Sequence, residues 1–244
     1  MRYFLEFAYK GTNYHGWQYQ PNASSVQETL NKALSKLFKT EIDLVGAGRT
    51  DTGVHAKQMF AHFDLDFEID VTHFIHKLNS FLPADIAILN IHLVADNNHA
   101  RFDANKRTYE YHIHTSKEVF INENSWYYHN QLKIELMNSA CKELFNHTDF
   151  ECFSKVHTDV NTFNCKIMEA HWQQNGNKLI FTIAADRFLR NMVRAIVGTM
   201  VNIGLEKVSL QEFKQIIESK DRNKAGFSVP AHGLFLTKVE YPYL

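Results

Sequence analysis

The stretch EIDLVGAGRTDTGVHAKQMFAHF, residues 41–63, decides how the first half of the chain is read. Its two ends, Glu41 to Val45 and Gln58 to Phe63, have the short apolar patterns of strands. Between them lies a turn bracketed by Gly48 and Gly53, with a single carboxylate, Asp51, placed two residues after Arg49. Glycine adopts backbone shapes that other residues resist, so such a loop is expected to be tight and able to approach a ligand closely. An acid held this way beside a guanidinium is a candidate nucleophile or acid–base group. The plainer role of an Asp in such a turn is to hydrogen-bond its own backbone.

Working outward, residues 2–9 alternate as a strand. Val26, Leu30, Ala33, Leu34, Leu37 and Phe38 recur at the spacing of an amphipathic helix. Ser25 and Glu28 stand as a capping box at its start. Strands are expected near 41–47 and 57–65, a helix near 71–80 ending before Pro83, and a strand near 86–95. The order is βαββαβ, the ferredoxin-like unit. The second half repeats it with insertions. A strand at 108–115 leads to a helix at 132–145. Strands at 166–173 and 179–185 flank the turn Gln174-Asn175-Gly176-Asn177. Helices follow at 188–203 and 210–219, the latter opened by the capping pair Ser209 and Glu212, and a last strand runs over 233–241. No linker or composition shift separates the halves. The expected fold class is therefore α+β: two ferredoxin-like βαββαβ units, 1–104 and 105–244, with their sheets merged into one mainly antiparallel sheet.

The chain has 244 residues, 45% of them apolar, enough for one large or two small cored domains. No apolar run is long enough to span a bilayer, and the N-terminus reaches Glu6 without a secretory apolar stretch. Cys141, Cys152 and Cys165 show no C-x-x-C spacing, which fits structural thiols in a reducing cytoplasm better than a disulfide or zinc scaffold. The 14 histidines form no H-x-x-x-H pair, so no metal site is expected. A net charge of −1 does not advertise a nucleic-acid binder. The charge is uneven, with 9 Lys and Arg against 12 Asp and Glu in residues 1–104, and 17 against 15 in residues 105–244. An RNA partner would require the positive groups to be gathered locally.

Two further groups of residues stand out. In the helix expected at 188–203, Arg187, Arg190, Asn191 and Arg194 share the face left by a broad apolar arc, continued by Gly198. That face is either solvated or suited to phosphate oxygens or a carboxylate. Tyr109 and Tyr111 alternate on one face of a strand, where packing is the usual role. Lys106 and Arg107 add positive charge beside them.

The string Gly48-Arg49-Thr50-Asp51-Thr52-Gly53-Val54-His55 resembles the signature of the tRNA pseudouridine synthase A family, Gly-Arg-Thr-Asp-Ala-Gly-Val-His, departing only at Thr52. Further blocks resemble the family in order. They are Tyr14-His15-Gly16-Trp17-Gln18 with Ser25-Val26-Gln27-Glu28, then Asn79 to Ile86, His99 to Ala104, Arg107 to Tyr111, Phe188 to Arg194, and Gly233 to Leu236. Short blocks are weak singly and strong as an ordered series. The resemblance implies the pseudouridine synthase fold and isomerisation of uridine in the anticodon stem-loop of tRNA, at positions thirty-eight to forty on its 3′ side. The N1–C1′ bond breaks, the uracil turns, and a C5–C1′ bond forms, with no cofactor.

By the same resemblance Asp51 is the catalytic aspartate, attacking covalently or abstracting a ribose proton. Arg194 pairs with it, and a close guanidinium favours an ionised carboxylate. Tyr109 stacks on the target uracil, and Arg49 helps hold the base out of the helix. Arg187, Arg190, Lys106 and Arg107 are expected on the RNA approach. The resemblance also implies a homodimer with tRNA lying across both subunits. His55 is expected to order the loop, while Tyr14 and Trp17 either pack or touch RNA. Two other readings stand beside this one. Asp51-Thr52-Gly53 matches an aspartic protease, which needs two such aspartates. The ferredoxin-like pattern alone suits a non-catalytic RNA-binding module.

Overall fold

The computed structural model describes residues 1–156 and 160–244. In chain order the elements are β1 (Arg2–Tyr9), α1 (Val26–Phe38), β2 (Val45–Gly46), β3 (His55–Asp64), α2 (Val71–Phe81) and β4 (Ile86–Val94). They continue with β5 (Lys106–His114), β6 (Trp126–Tyr127), α3 (Ile134–Leu144), β7 (Ile167–Asn175), β8 (Lys178–Ala185), α4 (Met192–Gly204), α5 (Leu210–Ser219) and β9 (Leu234–Glu240). The class is α+β, and the nine strands belong to one mostly antiparallel sheet, as expected. Two compact units divide the chain. One is Met1–Asn105 with Phe235–Leu244, the other Lys106–Leu234. The terminal segment 235–244, read from sequence as the close of the second half, thus counts with the first. Its reason is the parallel pairing of β9 with β3, His55 to Phe235 and Ala56 to Leu236.

In the first unit β1 runs antiparallel to both β3 and β4. Alternation along β1 sends Tyr3, Leu5 and Phe7 to one face, where α1 and α2 supply the cover. Tyr3 stacks on Phe63 at 5.7 Å, and Phe38 of α1 meets Phe63 at 5.9 Å and Phe74 of α2 at 4.8 Å. Each such aromatic side chain, fully buried, contributes roughly 1.5–3 kcal/mol. Ser25 caps α1 by accepting from the Glu28 amide at 3.2 Å. The return half of the expected capping box is replaced by a Glu28–Lys32 ion pair at 2.6 Å. Asn79 joins α2 to β4, its side chain bonding both the amide and the carbonyl of Ile88.

The strand expected at 41–47 is reduced to the two residues of β2, Val45 and Gly46. The cause is where its backbone bonds go. Side chains of α1 take them: Ser35 accepts from the Ile42 amide, Asn31 from the Leu44 amide, and Gln27 donates to the Leu44 carbonyl. The segment is therefore a surface run on α1, held by Ile42 and Leu44, which are buried.

The second unit has the antiparallel order β5-β8-β7, with the two-residue β6 beside β5. The β7–β8 hairpin turns at Gly176, in the left-handed region at φ 59°. Helix α4 is buried nearly all round, leaving Arg194 and Asn202 as its partly exposed residues. Helix α5 opens with the complete capping box of Ser209 and Glu212.

Back in the first unit, the face of β1 opposite the helices carries Phe4, edge-on to Tyr241 at 5.2 Å and beside His62 at 6.1 Å. His62 is 5% exposed, and its Nδ1 accepts from the Ala100 amide at 3.2 Å, pinning the loop 99–104. Burial, helped by Arg2 and His99 and opposed by Asp64 and Asp103, lowers its pKa from 6.5 to about 4. The unfolded chain therefore takes up this proton before the folded one. The stabilisation is complete above pH 6.5 and is lost as pH falls toward 4. The urea midpoint should thus drop over this window, and His62→Asn, which keeps an acceptor for Ala100, should flatten that part of the drop.

Candidate active site

The first unit builds its candidate site on the loop between β2 and β3. Gly53 has φ 78°, a conformation that favours glycine. Gly48 has neither a positive φ nor any neighbour that a Cβ would meet. The tightness expected of both glycines thus belongs to Gly53 alone. Within the loop the Val54 amide donates to the Asp51 carbonyl at 3.1 Å, closing the turn. Bonds to residues 9–17 then tie the loop down. Tyr9 Oη meets Thr50 Oγ1 at 2.8 Å, and the Trp17 amide donates to the Thr50 carbonyl at 3.4 Å. The Gly53 amide donates to the Tyr14 carbonyl at 3.2 Å, and the Gly11 amide to His55 Nδ1 at 2.9 Å. Asp51 is left half-buried and Arg49 exposed, both on this tethered loop.

This gives His55 its loop-ordering role. It is 1% exposed and stacks on Phe235 at 4.7 Å. Tyr14 and Trp17 pack. Trp17 stacks on Phe7 at 5.3 Å with its indole over Gly46. The Tyr14 hydroxyl donates to Asp85 at 2.7 Å. Burial and that carboxylate push its pKa up.

In the second unit Tyr109 lies on β5 opposite Ile183 of β8. Its ring is half-exposed and meets Phe188 edge-on at 5.1 Å. Tyr111, two residues on, is buried, with its hydroxyl donating to the Pro230 carbonyl at 2.8 Å. Arg107 and Lys106 are half-exposed at the start of β5. Arg107 Nη1 donates to the Asp186 carbonyl at 2.7 Å, fixing the chain just before Arg187. Tyr109, Arg107 and residues 186–188 are thus brought together at one end of β5 and β8.

The arginine face expected on a helix at 188–203 does not form as such. Helix α4 begins at Met192, and Asn191 is in the left-handed region at φ 68°. Arg187 and Arg190 therefore lie on the irregular approach to the helix, half-exposed and exposed, and only Arg194 is on the helix itself. Arg194 Nε donates to the Val229 carbonyl at 2.7 Å, and the Val229 amide donates back to the Arg194 carbonyl at 3.3 Å. The expected continuation of a ligand-facing surface at Gly198 is occupied by the chain, because the Phe227 carbonyl lies against it. Sequence reasoning missed residues 222–230 altogether. Their signal was only the turn-forming Gly226 and Pro230.

Cys141, Cys152 and Cys165 are buried free thiols, each pushed up to about 12 by burial. Among the described residues no helix is long and apolar enough to cross a membrane, and no group of three or more His, Cys, Asp or Glu is placed to hold a metal ion.

A protein-family model described as tRNA pseudouridine synthase matches residues 7–103 and 140–242. Arg49 and Asp51 fall in the first stretch, and Arg187, Arg190 and Arg194 in the second, with Lys106, Arg107 and Tyr109 between them. The chain is 51% identical over 242 residues to the tRNA pseudouridine synthase A of Parabacteroides distasonis, covering 99% of this chain and 96% of that protein. It is 51% identical over 243 residues to that of Bacteroides fragilis, with 99% and 96% covered. The tRNA pseudouridine synthase A 2 of Clostridium perfringens is 41% identical over 239 residues, with 97% and 98% covered.

The two loop glycines should separate cleanly in stability. Gly53→Ala forces a side chain into a left-handed conformation and should cost about 1–2 kcal/mol in urea melts. Gly48→Ala should stay within about 0.5 kcal/mol of the parent.

Proposed function

This chain belongs to the tRNA pseudouridine synthase family, and from that membership we propose how its own residues carry the reaction. The enzyme is an isomerase that forms pseudouridine in tRNA. The proposed target is uridine in the anticodon stem-loop, at positions thirty-eight to forty. The N1–C1′ bond breaks, the uracil turns, and C5 bonds to C1′. C5 loses a proton and N1 gains one, so the atoms balance without a redox partner or cofactor.

In this reading Asp51 attacks the ribose covalently or removes a ribose proton, and both routes use an ionised carboxylate. The observation that carries the reading is the way Asp51 is presented, half-buried on a loop that residues 9–17 tether at Thr50, Gly53 and His55. Such preorganisation is what a reacting group needs, because the geometry is set before substrate arrives. Arg194 is the proposed counter-charge, oriented through the Val229 carbonyl at its Nε. Tyr109 is the proposed stacking platform, supported from the side by Phe188. Extruding the base costs a few kcal/mol, and stacking returns about 1–3 kcal/mol. Arg49 holds the extruded state, and Arg187, Arg190, Lys106 and Arg107 meet phosphates. A homodimer is the proposed working form, which doubles a positive surface that is thin in one chain. The buried thiols suit a reducing cytoplasm.

Incubation with unmodified tRNA transcripts, followed by carbodiimide mapping, should place pseudouridine in the anticodon stem-loop. Asp51→Asn should abolish it while leaving tRNA binding within a few-fold, since phosphate contacts elsewhere supply most affinity. Retained turnover would sink the assignment. A protease would be indifferent to tRNA, and a binding module indifferent to Asp51. Tyr109→Phe should keep binding and slow the reaction, whereas Tyr109→Ala should lose both.

Affinity for tRNA should fall with salt, with a log–log slope of about −0.7 to −0.9 per phosphate neutralised. Arg190→Glu should flatten that slope. A salt-independent affinity would remove the basis for placing arginines on the phosphates.

A further inference from the structure

Residues 226–230 run as a strap along α4, with Val229 buried and the Phe227 ring edge-on to Trp126 at 5.9 Å. The Gly226 amide donates to Thr199 Oγ1 at 2.8 Å. A Cβ on Gly226 would lie 2.7 Å from the Thr199 nitrogen, so the strap and the helix approach backbone to backbone. Ser228 Oγ accepts from Asn191 Nδ2 at 2.6 Å and from Arg222 Nη2 at 3.0 Å. Arg222 Nη1 donates to the Gly226 carbonyl at 3.0 Å. The Pro230 carbonyl takes the Tyr111 hydroxyl at 2.8 Å. Between these anchors sits Val229, whose amide and carbonyl both bond Arg194.

We propose that Arg222 is a positioning residue for the isomerisation: its guanidinium locks the strap at Gly226 and Ser228 and so aims the Arg194 side chain. The proposal rests on the reading of Arg194 as the counter-charge of Asp51. Arg222 acts at two points of one short segment because its planar fork donates from two nitrogens at once. An ammonium is a single point charge and does not reproduce that geometry. The Arg194 side chain is tied to the strap through the bond from its Nε to the Val229 carbonyl. A strap that slides therefore rotates the guanidinium beyond it. Misplacement of a reacting or charge-stabilising group by about 1 Å is enough to cost up to about 100-fold in rate.

The test compares Arg222→Ala, Arg222→Lys and Ser228→Ala with the parent on one tRNA transcript. Arg222→Ala should lower kcat about 10- to 100-fold with little change in KM, the pattern of an interaction lost in the transition state. Arg222→Lys should recover only part of it. In an Arg194→Ala background the Arg222 substitution should add no further loss, because both act through one group. Independently of activity, the Arg194 Nε–H signal in nitrogen-15 spectra should exchange slowly in the parent and rapidly in Arg222→Ala. If Arg222→Ala does not fold, Ser228→Ala, which removes the acceptor that Arg222 shares with Asn191, should give the same direction of change in kcat and in the Arg194 signal. A folded Arg222→Ala protein with parental kcat, losses that add to those of Arg194→Ala, or an unchanged Nε–H signal would each overturn the proposal. Full activity in Arg194→Ala alone would instead overturn the role of Arg194, and the proposal with it. That failure shows in the single Arg194 variant, so the two are distinguishable.

Discussion

The hydrogen bond from the Gly11 amide to His55 Nδ1, made at a histidine 1% exposed, is the constraint on which the geometry of the first unit's candidate loop depends. An Nδ1 that accepts carries no proton, so the ring is held in one tautomer and one orientation. It anchors the start of β3 to the end of β1, and the turn before it has little freedom left. Tyr9 and Tyr14 then fix Thr50 and Gly53 on either side of Asp51. A helix or strand satisfies its own backbone and needs no such tethers. This loop cannot, and residues 9–17 supply partners at Thr50, Gly53 and His55. The separate sequence blocks around Tyr14 and around Asp51 are thus one structural device.

The second unit meets the same demand differently. Its arginine sits in the first turn of a helix, and the freedom to be removed lies in a long side chain with several rotamers. The solution is external. An irregular segment, 226–230, is bonded to Asn191, Arg194, Thr199, Tyr111 and Arg222 and so becomes as defined as a strand. Its closeness to α4 needs glycine on both sides, Gly198 on the helix and Gly226 on the strap. Burial of α4 on nearly all faces gives the helix no room to shift in response.

Periodicity made most of the elements legible, because α1, α2 and α5 each bury one stripe and the apolar residues mark it. It failed where side chains replaced backbone partners. Residues 41–47 have the composition of a strand, but Ser35, Asn31 and Gln27 on α1 satisfy Ile42 and Leu44, and nothing in the local pattern reports that. The start of α4 failed for a related reason. Phe188 and Leu189 continue the apolar spacing of the helix, yet the chain is held out of it by Arg107 on the Asp186 carbonyl and by the bond from Asn191 to Ser228. Those contacts span 79 and 37 residues, beyond the reach of any local reading. Asp51 and its loop were legible because a glycine-bracketed acid is itself a local pattern. The strap was not, since its meaning lies in what it touches.

The backbone carries one more mark of where the second unit spends stability. Among the described residues, four other than glycine have positive φ: Lys39, Asn191, Glu206 and Lys220. Lys39, Glu206 and Lys220 close helices, where a left-handed residue satisfies the last carbonyls and is commonplace. Asn191 opens one. The usual residue there has extended backbone and caps the helix with its own side chain. Asn191 makes no such cap, and its side chain reaches Ser228 instead. The helix start forgoes its ordinary stabilisation so that Asn191 and Arg222 share one hydroxyl on the strap. A local departure of this kind persists only where the surroundings over-determine it. Here the surroundings are the bonds that orient Arg194, three residues further along the same helix.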